Sequence, residues 1–376
     1  MIKTPHWTSV LHEFLRPGHS ELSRVNIPPL DGPMRPNTAL EDLSPVPGGE
    51  ISEPSDVLPA GGDGSLFVAS RSRILRIDSH AGPGTATSVV AELDGPVTAL
   101  APAGDRAVLA AVGDQGIVRV DRSGQVEPVV ASAAAGALRC PTALAVDPAG
   151  DTLYVCDGSR DHVPDEWIHD LMEGNATGRL VAIDRRTGSA SVLLDGLAWP
   201  AGVAVAPDGT VVFSTAWDHS VRRFDPNGTT PVTVLQRGLP GYPGKLAPAA
   251  GGGYWLAVFA LRTQLVEFVL MEHEYRQEMM RTIEPEYWIR PALRTLDSAL
   301  EPIQGGAIKK LGVKKPWAPP RSYGMVLRLD ADGEILASLQ SPADGTRHGV
   351  VSAREHDGRL YVASQGGDVI LVREAA

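Results

Sequence analysis

Residues 201–225 read AGVAVAPDGTVVFSTAWDHSVRRFD, and this stretch decides the fold. Residues 201–206 alternate small and apolar side chains, Pro207-Asp208-Gly209 makes a turn, and 211–216 runs back as a second apolar segment. Asp-Gly supplies the positive-φ geometry that a tight strand connection needs. A further strand, 220–225, follows after a short link and ends in Asp.

The same paired signature recurs along the chain. SLFVAS (65–70) precedes RILRID (73–78), AVLAAV (107–112) precedes GIVRVD (116–121), and TLYVCD (152–157) precedes RLVAID (179–184). Beyond 211–225 come YWLAVF (254–259) with MVLRLD (325–330), then RLYVAS (359–364) with DVILVR (368–373). A strand unit repeated every 40–50 residues or so marks a β-propeller, one repeat per blade. Six copies predict an all-β, six-bladed β-propeller, with residues 1–376 as a single domain.

Equivalent turns lie at Gly62-Asp63-Gly64, Pro148-Ala149-Gly150 and Asp357-Gly358. Counting back seven residues from the aligned turns gives Asp56, Thr142, Ala201 and Gly244, which should begin the innermost strands and crowd around the axis at one face. The links between the second and third strands lie over that same face. Four are two to four residues long, while 158–178 in the third blade and 260–324 in the fifth are greatly expanded. Long loops in compact domains are usually functional.

The larger insertion carries Leu261, Leu265, Phe268, Tyr275 and Met279 at near-helical spacing, with Pro285 and Pro291 breaking the pattern. Residues 260–322 are therefore expected to form a largely helical lid, with a second short helix over 292–300. The last repeat ends near the C-terminus, so its outer strand should come from residues 1–50, with 23–27 the first choice. Such closure removes an open sheet edge.

Composition narrows the function. The chain has 376 residues, a net charge of −11, 40 Gly and 31 Pro, and 5% aromatic residues. An acidic chain without a basic face argues against nucleic acid, and no apolar run approaches the ~20 residues of a membrane span. The N-terminus lacks a signal-peptide pattern, so the expected location is cytoplasmic. Cys140 and Cys156 flank adjacent strands of one blade, where a bridge would fit, but two cysteines without an export signal favour buried free thiols. Asn175-Ala176-Thr177 fits the glycosylation pattern and carries little meaning in that setting.

Four motifs in order carry a family resemblance: 199–204 WPAGVA followed by Pro207-Asp208-Gly209, 239–243 LPGYP, 323–330 YGMVLRLD and 355–361 EHDGRLY. They resemble the strictosidine synthase-like branch of the superfamily that also holds the SMP-30 and gluconolactonase hydrolases. The resemblance covers most of the chain and implies a six-bladed propeller with a ligand site at the axial mouth. Members include lactone and ester hydrolases and a plant enzyme that condenses an amine with an aldehyde.

The family's hydrolases hold a divalent cation, usually calcium, with a Glu, two Asn and an Asp at inner-strand starts. The matching positions here are Asp56 (or Glu53), Thr142, Ala201 and Gly244, beside Lys245. They cannot supply the six to eight oxygens that calcium prefers. No metal or other cofactor is therefore expected. The Glu of the condensing enzyme matches Val351, so that chemistry is not inherited either.

The remaining candidates are polar groups expected at the mouth. Lys245, His348, Asp157 and His162 are the catalytic candidates, since a His near a carboxylate serves as a general base and a cation holds an oxyanion. Lys245 stands out, because an unpaired buried ammonium is costly unless something anionic meets it. Asp56, Thr142, Trp199, Arg262, Arg347, Asp218 and His219 are the substrate-binding candidates. No Gly-x-Ser-x-Gly elbow, phosphate loop, Cys-x-x-Cys or His-Glu-x-x-His occurs. The expected function is metal-free lactone or ester hydrolysis of a small molecule. The alternatives are a ligand-binding or scaffolding propeller and amine–aldehyde condensation.

Overall fold

Each repeated pair is flanked by a first and a fourth strand, giving six four-stranded antiparallel sheets. The computed structural model describes residues 27–60, 64–78, 87–104, 107–129, 136–228, 231–294, 309–310, 313–314 and 322–374. The innermost strands are Pro54–Pro59, Val97–Gly104, Pro141–Val146, Pro200–Val205, Gly241–Pro248 and Val350–His356. Each touches the next, and the sixth returns to the first, so the ring closes as a six-bladed propeller.

Burial explains why the second strands read as unbroken apolar runs. Ser65–Ser70 and Ala107–Val112 are buried along their whole length, because neighbouring blades cover both faces. Leu109, Leu144, Leu153, Val155 and Val181 form one such inter-blade layer. The third strand Arg73–Asp78 lies further out and alternates buried Ile74, Leu75 and Ile77 with exposed ends. Close approach of blades four and five needs Gly202, where a Cβ would overlap the carbonyl oxygen of Gly244.

The last sheet is completed by Ser44–Pro45, which pair with Val372 and Leu371. The closing strand thus comes from a later position than 23–27. Residues 23–26 lie outside the described residues, and Ile27 is not in a strand. Leu40 and Leu43, just before the closing strand, are buried against Leu339, Val350 and Leu371.

The two expanded links carry the helices. In blade three, α1 (Trp167–Glu173) ends at Gly174 in the left-handed conformation. In blade five, α2 (Gln264–Met271) is capped by the Thr263 hydroxyl, which accepts the backbone N–H of Val266, and α3 (His273–Thr282) follows directly. The expected apolar stripe is corrected here. Leu261 ends a strand, and Phe268 and Tyr275 are about half exposed, whereas Val266, Val269 and Met279 are buried. The chain breaks helical geometry at Glu272, so the two helices are out of phase and no single stripe survives. Residues 292–294 are irregular, and the rest of the second helix expected over 292–300 falls outside the described residues. No helix among the described residues is long and apolar enough to cross a membrane. Cys140 and Cys156 are buried free thiols, pushed up by burial and by Asp157.

Candidate functional site

Strand pairing slips near the start of every innermost strand. The slips fall between Pro54 and Asp56, Val97 and Ala99, Pro141 and Ala143, Pro200 and Gly202, Pro243 and Leu246, and Val350 and Ser352. The residues left in these bulges are Ser55, Thr98, Thr142, Ala201, Gly244 with Lys245, and Val351. All of them line one cavity of about 620 Å³. A bulge releases a residue from the ladder and re-aims its side chain, which is why bulges recur beside functional sites.

Three hydroxyls of this inner ring also join the blades. Ser55 donates to the carbonyl of Val97, Thr98 to that of Pro141, and Thr142 to that of Pro200 at 2.6 Å. Their protons are committed, while their oxygen lone pairs remain acceptors. The wall above is aromatic: Trp167, Trp199 and Phe259 line the cavity, with Trp217 stacked 5.1 Å behind Trp199. Trp199 and Glu53 each sit two residues before a bulge with φ of +54° and +48°. Such left-handed non-glycine backbone costs about 1–3 kcal/mol and clusters at functional sites.

Lys245 is the basic residue among the bulges. Its Nζ donates to the carbonyl oxygen of Ser55 at 3.0 Å. It lies deep in the ring yet keeps partial exposure and lines the cavity. Burial lowers its pKa; Asp56 opposes that shift and Arg354 adds to it. Asp56 is fully buried and engaged elsewhere. It accepts Arg354 Nε and a second guanidinium nitrogen at 3.3 and 3.0 Å, Ser352 Oγ at 2.6 Å, and the backbone N–H groups of Val57 and Leu100. Burial pushes the Asp56 carboxyl up, but Arg354, Lys245 and the bonds from Arg354 and Ser352 outweigh it and hold it low.

Around the mouth stand Glu53, Arg71, Asp165 and Gln365. Glu53 pairs with Arg71 at 3.2 Å and with Arg294 at 3.4 Å. Burial, Glu53 and Glu166 push the Asp165 carboxyl up.

Of the sequence-derived candidates, Lys245, Thr142 and Trp199 share this cavity, and the others have partners outside its lining. Asp56 lies behind the bulge of blade one, in the Arg354 pair. Asp157 is buried and accepts the Cys140 N–H at 2.7 Å and Arg179 Nε at 2.9 Å, which fixes the root of the blade-three insertion. His162 is clamped between Glu166 at 3.2 Å and Glu173 at 2.7 Å. His348 bonds Ser322 Oγ and the carbonyl of Pro342, both at 2.8 Å, in a buried packing role. Arg262 is buried against Glu267 at 3.1 Å, and His219 lies 3.7 Å from the same carboxylate. Asp218 accepts Arg222, Thr215 and Ser220 within its own hairpin. The backbone N–H of Arg347 is held by Glu41 and Ser341.

The residues missed were Ser55, Thr98, Asp165, Trp167 and Phe259. Counting from the Asp-Gly turn gave Asp56 because Asp63-Gly64 abuts the strand at Ser65, whereas Asp151 and Thr210 intervene in blades three and four. Blade two carries Pro102-Ala103-Gly104, from which the same count gives Pro96 rather than Thr98. Asp165 carries no local signal of its own.

The inner ring does not fit a calcium ion. Ser55, Thr98, Thr142, Ala201, Gly244 and Val351 bring no carboxylate, and Lys245 brings an ammonium. Among the described residues, no group of three or more His, Cys, Asp or Glu side chains could hold a metal.

A closed six-bladed propeller with a ligand-sized cavity on its axis defines the class. Comparisons with known proteins narrow it. The family model described as strictosidine synthase matches residues 142–224. The chain is 30% identical over 228 residues to the adipocyte plasma membrane-associated protein of Bos taurus, covering 59% of this chain and 48% of that one. It is 26% identical over 239 residues to strictosidine synthase-like 2 of Arabidopsis thaliana, covering 61% and 56%. A solved gluconolactonase from Xanthomonas campestris superposes with a TM-score of 0.56 at 14% identity, covering 87% of each chain. The chain spans about half the length of the curated relatives it matches. By these similarities the chain resembles the strictosidine synthase-like family.

Proposed function

We propose that this protein is an enzyme acting on a small organic molecule in the axial cavity, and that its reaction is metal-free hydrolysis of a lactone or ester. One observation carries the reading: six bulges aim their residues into one cavity, and the ammonium among them bonds a neutral carbonyl rather than a carboxylate. In such surroundings the Lys245 ammonium would polarise a carbonyl and hold the oxyanion that develops on it. Asp165, with its carboxyl pushed up, takes the proton of the attacking water. Trp167, Trp199 and Phe259 pack the apolar body of the substrate, and the blade-five insertion acts as a lid that excludes water.

Turnover of a panel of lactones and aryl esters, with and without chelator, tests this. Chelator-insensitive hydrolysis that Lys245→Met abolishes supports it, and turnover that needs calcium or survives Lys245→Met overturns it. A second reading, a ligand-binding or scaffolding propeller without chemistry, is favoured by Ala201, Gly244 and Val351, whose side chains bring no polar atom to the ring. No turnover, together with a co-purified small molecule, would decide for it.

A further inference from the structure

We propose that Lys245 is a carbonyl-capturing amine, whose Nζ forms an imine with an aldehyde or ketone held in the axial cavity. This shares with the hydrolytic reading the cavity, Lys245 and the Asp165 carboxyl, but it needs the opposite protonation state of the lysine. Hydrolysis would use the protonated side chain, and capture uses its free-amine fraction.

The choice of residue is the first argument. The chain has six lysines among its 34 basic side chains, and arginine fills the buried ion pairs with Asp56, Asp157 and Glu267. Where a permanent charge is needed, this protein uses the side chain that cannot lose its proton. At the axis it uses lysine, which can. The nearby carboxylate does not require that lysine as its counter-ion either, since Asp56 is saturated by Arg354, Ser352 and two backbone N–H groups. The bond of Nζ to the Ser55 carbonyl suits a neutral amine as well as an ammonium, because either form donates.

The charged groups around Lys245 act in known directions. Burial and Arg354 favour the neutral form and Asp56 resists it, while Glu53, Arg71 and Asp165 stand further up the same cavity. Trp167, Trp199, Phe259 and Val351 make the approach apolar, which fits a carbonyl compound with a flat apolar body.

The step balances without oxidant or reductant. The nitrogen lone pair attacks the carbonyl carbon, the carbonyl π pair moves to oxygen, and a proton passes from the nitrogen to that oxygen to give a neutral carbinolamine. The nitrogen lone pair then expels the hydroxyl as water with a proton from a carboxyl such as Asp165, leaving an iminium. Water returns along the same path to free the lysine.

The test uses the whole wild-type protein with benzaldehyde and sodium cyanoborohydride, which freezes an imine as a benzylamine, followed by peptide mass mapping. At neutral pH, Lys245 should be labelled measurably faster than Lys309, Lys310, Lys314 and Lys315, because burial leaves more of it as free amine. Its labelling rate should also have a pH midpoint below the ~10.4 of an ordinary lysine. Lys245→Arg should lose the label at that peptide and keep it at the others. Labelling of Lys245 no faster than the other four, or with an ordinary midpoint, would overturn the proposal even if Lys245→Arg failed to fold. Hydrolysis without labelling sinks the imine alone, and labelling without hydrolysis sinks the hydrolytic reading alone.

Discussion

The blade-three insertion, 158–177, is fastened along its length, whereas the described part of the blade-five insertion, 262–294, is buried at its root and ends in exposed charges. In the first, Ser159 Oγ accepts the N–H groups of Asp161 and His162, His162 bridges Glu166 and Glu173, and Asp170 accepts Trp217 Nε1 at 2.7 Å. In the second, Arg262 and Glu267 form a buried pair, and Trp288 is buried with its ring 4.9 Å from His169. Beyond that, Leu293 packs on Gly349 and Gly366, where a Cβ would collide with it, and Arg294 meets Glu53 and Asp368 at the surface. One insertion is a wall that fixes Trp167 and Asp165 at the cavity. The other is a strap that crosses from blade five to blades six and one.

The comparison breaks most visibly at the roots. Arg179→Ala leaves Asp157 buried without its guanidinium and should cost about 3–5 kcal/mol, as loss of one partner of a buried pair does. Denaturant unfolding measures it. Asp157→Asn should cost clearly less, because burial already pushes that carboxyl up and an amide oxygen still accepts the Cys140 N–H. Equal losses for the two variants would show that the ion pair itself, and not the stranded charge, holds the root. Arg262→Ala should match Arg179→Ala if both insertions are anchored alike.

A smaller effect separates the wall from the strap by pH. Burial lowers the His162 pKa, but its bonds to Glu173 and Glu166 outweigh this and raise it. The Val163 N–H and His162 lower Glu166, and in Glu173 the bonds from His162 and Asn175 outweigh burial and lower it too. A raised histidine adds stability that is complete below its unfolded value and fades as pH climbs through the folded one; lowered glutamates add stability that fades as pH falls through theirs. The clamp is therefore complete between the reference values of 4.5 and 6.5. The melting-temperature difference between wild type and His162→Gln should be largest in that window and shrink on both sides. A difference that stays flat from pH 4 to 9 would remove the clamp from the account.

How much of this was legible in the sequence follows from burial. The second strands are covered on both faces, so they keep apolar runs such as 107–112 that announce a blade each time. The bulges leave no such mark. Thr98 and Val351 look like ordinary strand residues, and only the slip in pairing shows that they leave the ladder. Lys245 was legible because a lone ammonium among apolar residues is conspicuous. Asp157, Arg262 and His348 were misjudged as mouth residues because sequence cannot tell a buried polar group already satisfied from one awaiting a ligand. The phase of the blade-five helices was hidden by the break at Glu272, a residue that does not forbid helix.

The smallest expected effect on stability is the most informative about the strap. Arg294 is about 41% exposed, and its pairs with Glu53 and Asp368 span 3.2–3.4 Å in solvent. Exposed pairs contribute about 0–1 kcal/mol, so Arg294→Ala should barely move the melting temperature. Yet this contact ties the far end of the strap to blades six and one, and Glu53, one of its partners, lines the cavity and also holds Arg71. Loosening it should raise local opening of 288–294, seen as faster amide hydrogen exchange there, while exchange in α1 stays unchanged. A ligand in the cavity should then leave faster with little change in how the folded ring unfolds. If exchange rises equally in α1 and 288–294, the two insertions open as one unit and the distinction between wall and strap fails. If exchange rises in neither, Leu293 seated on Gly349 and Gly366 holds the strap without the arginine.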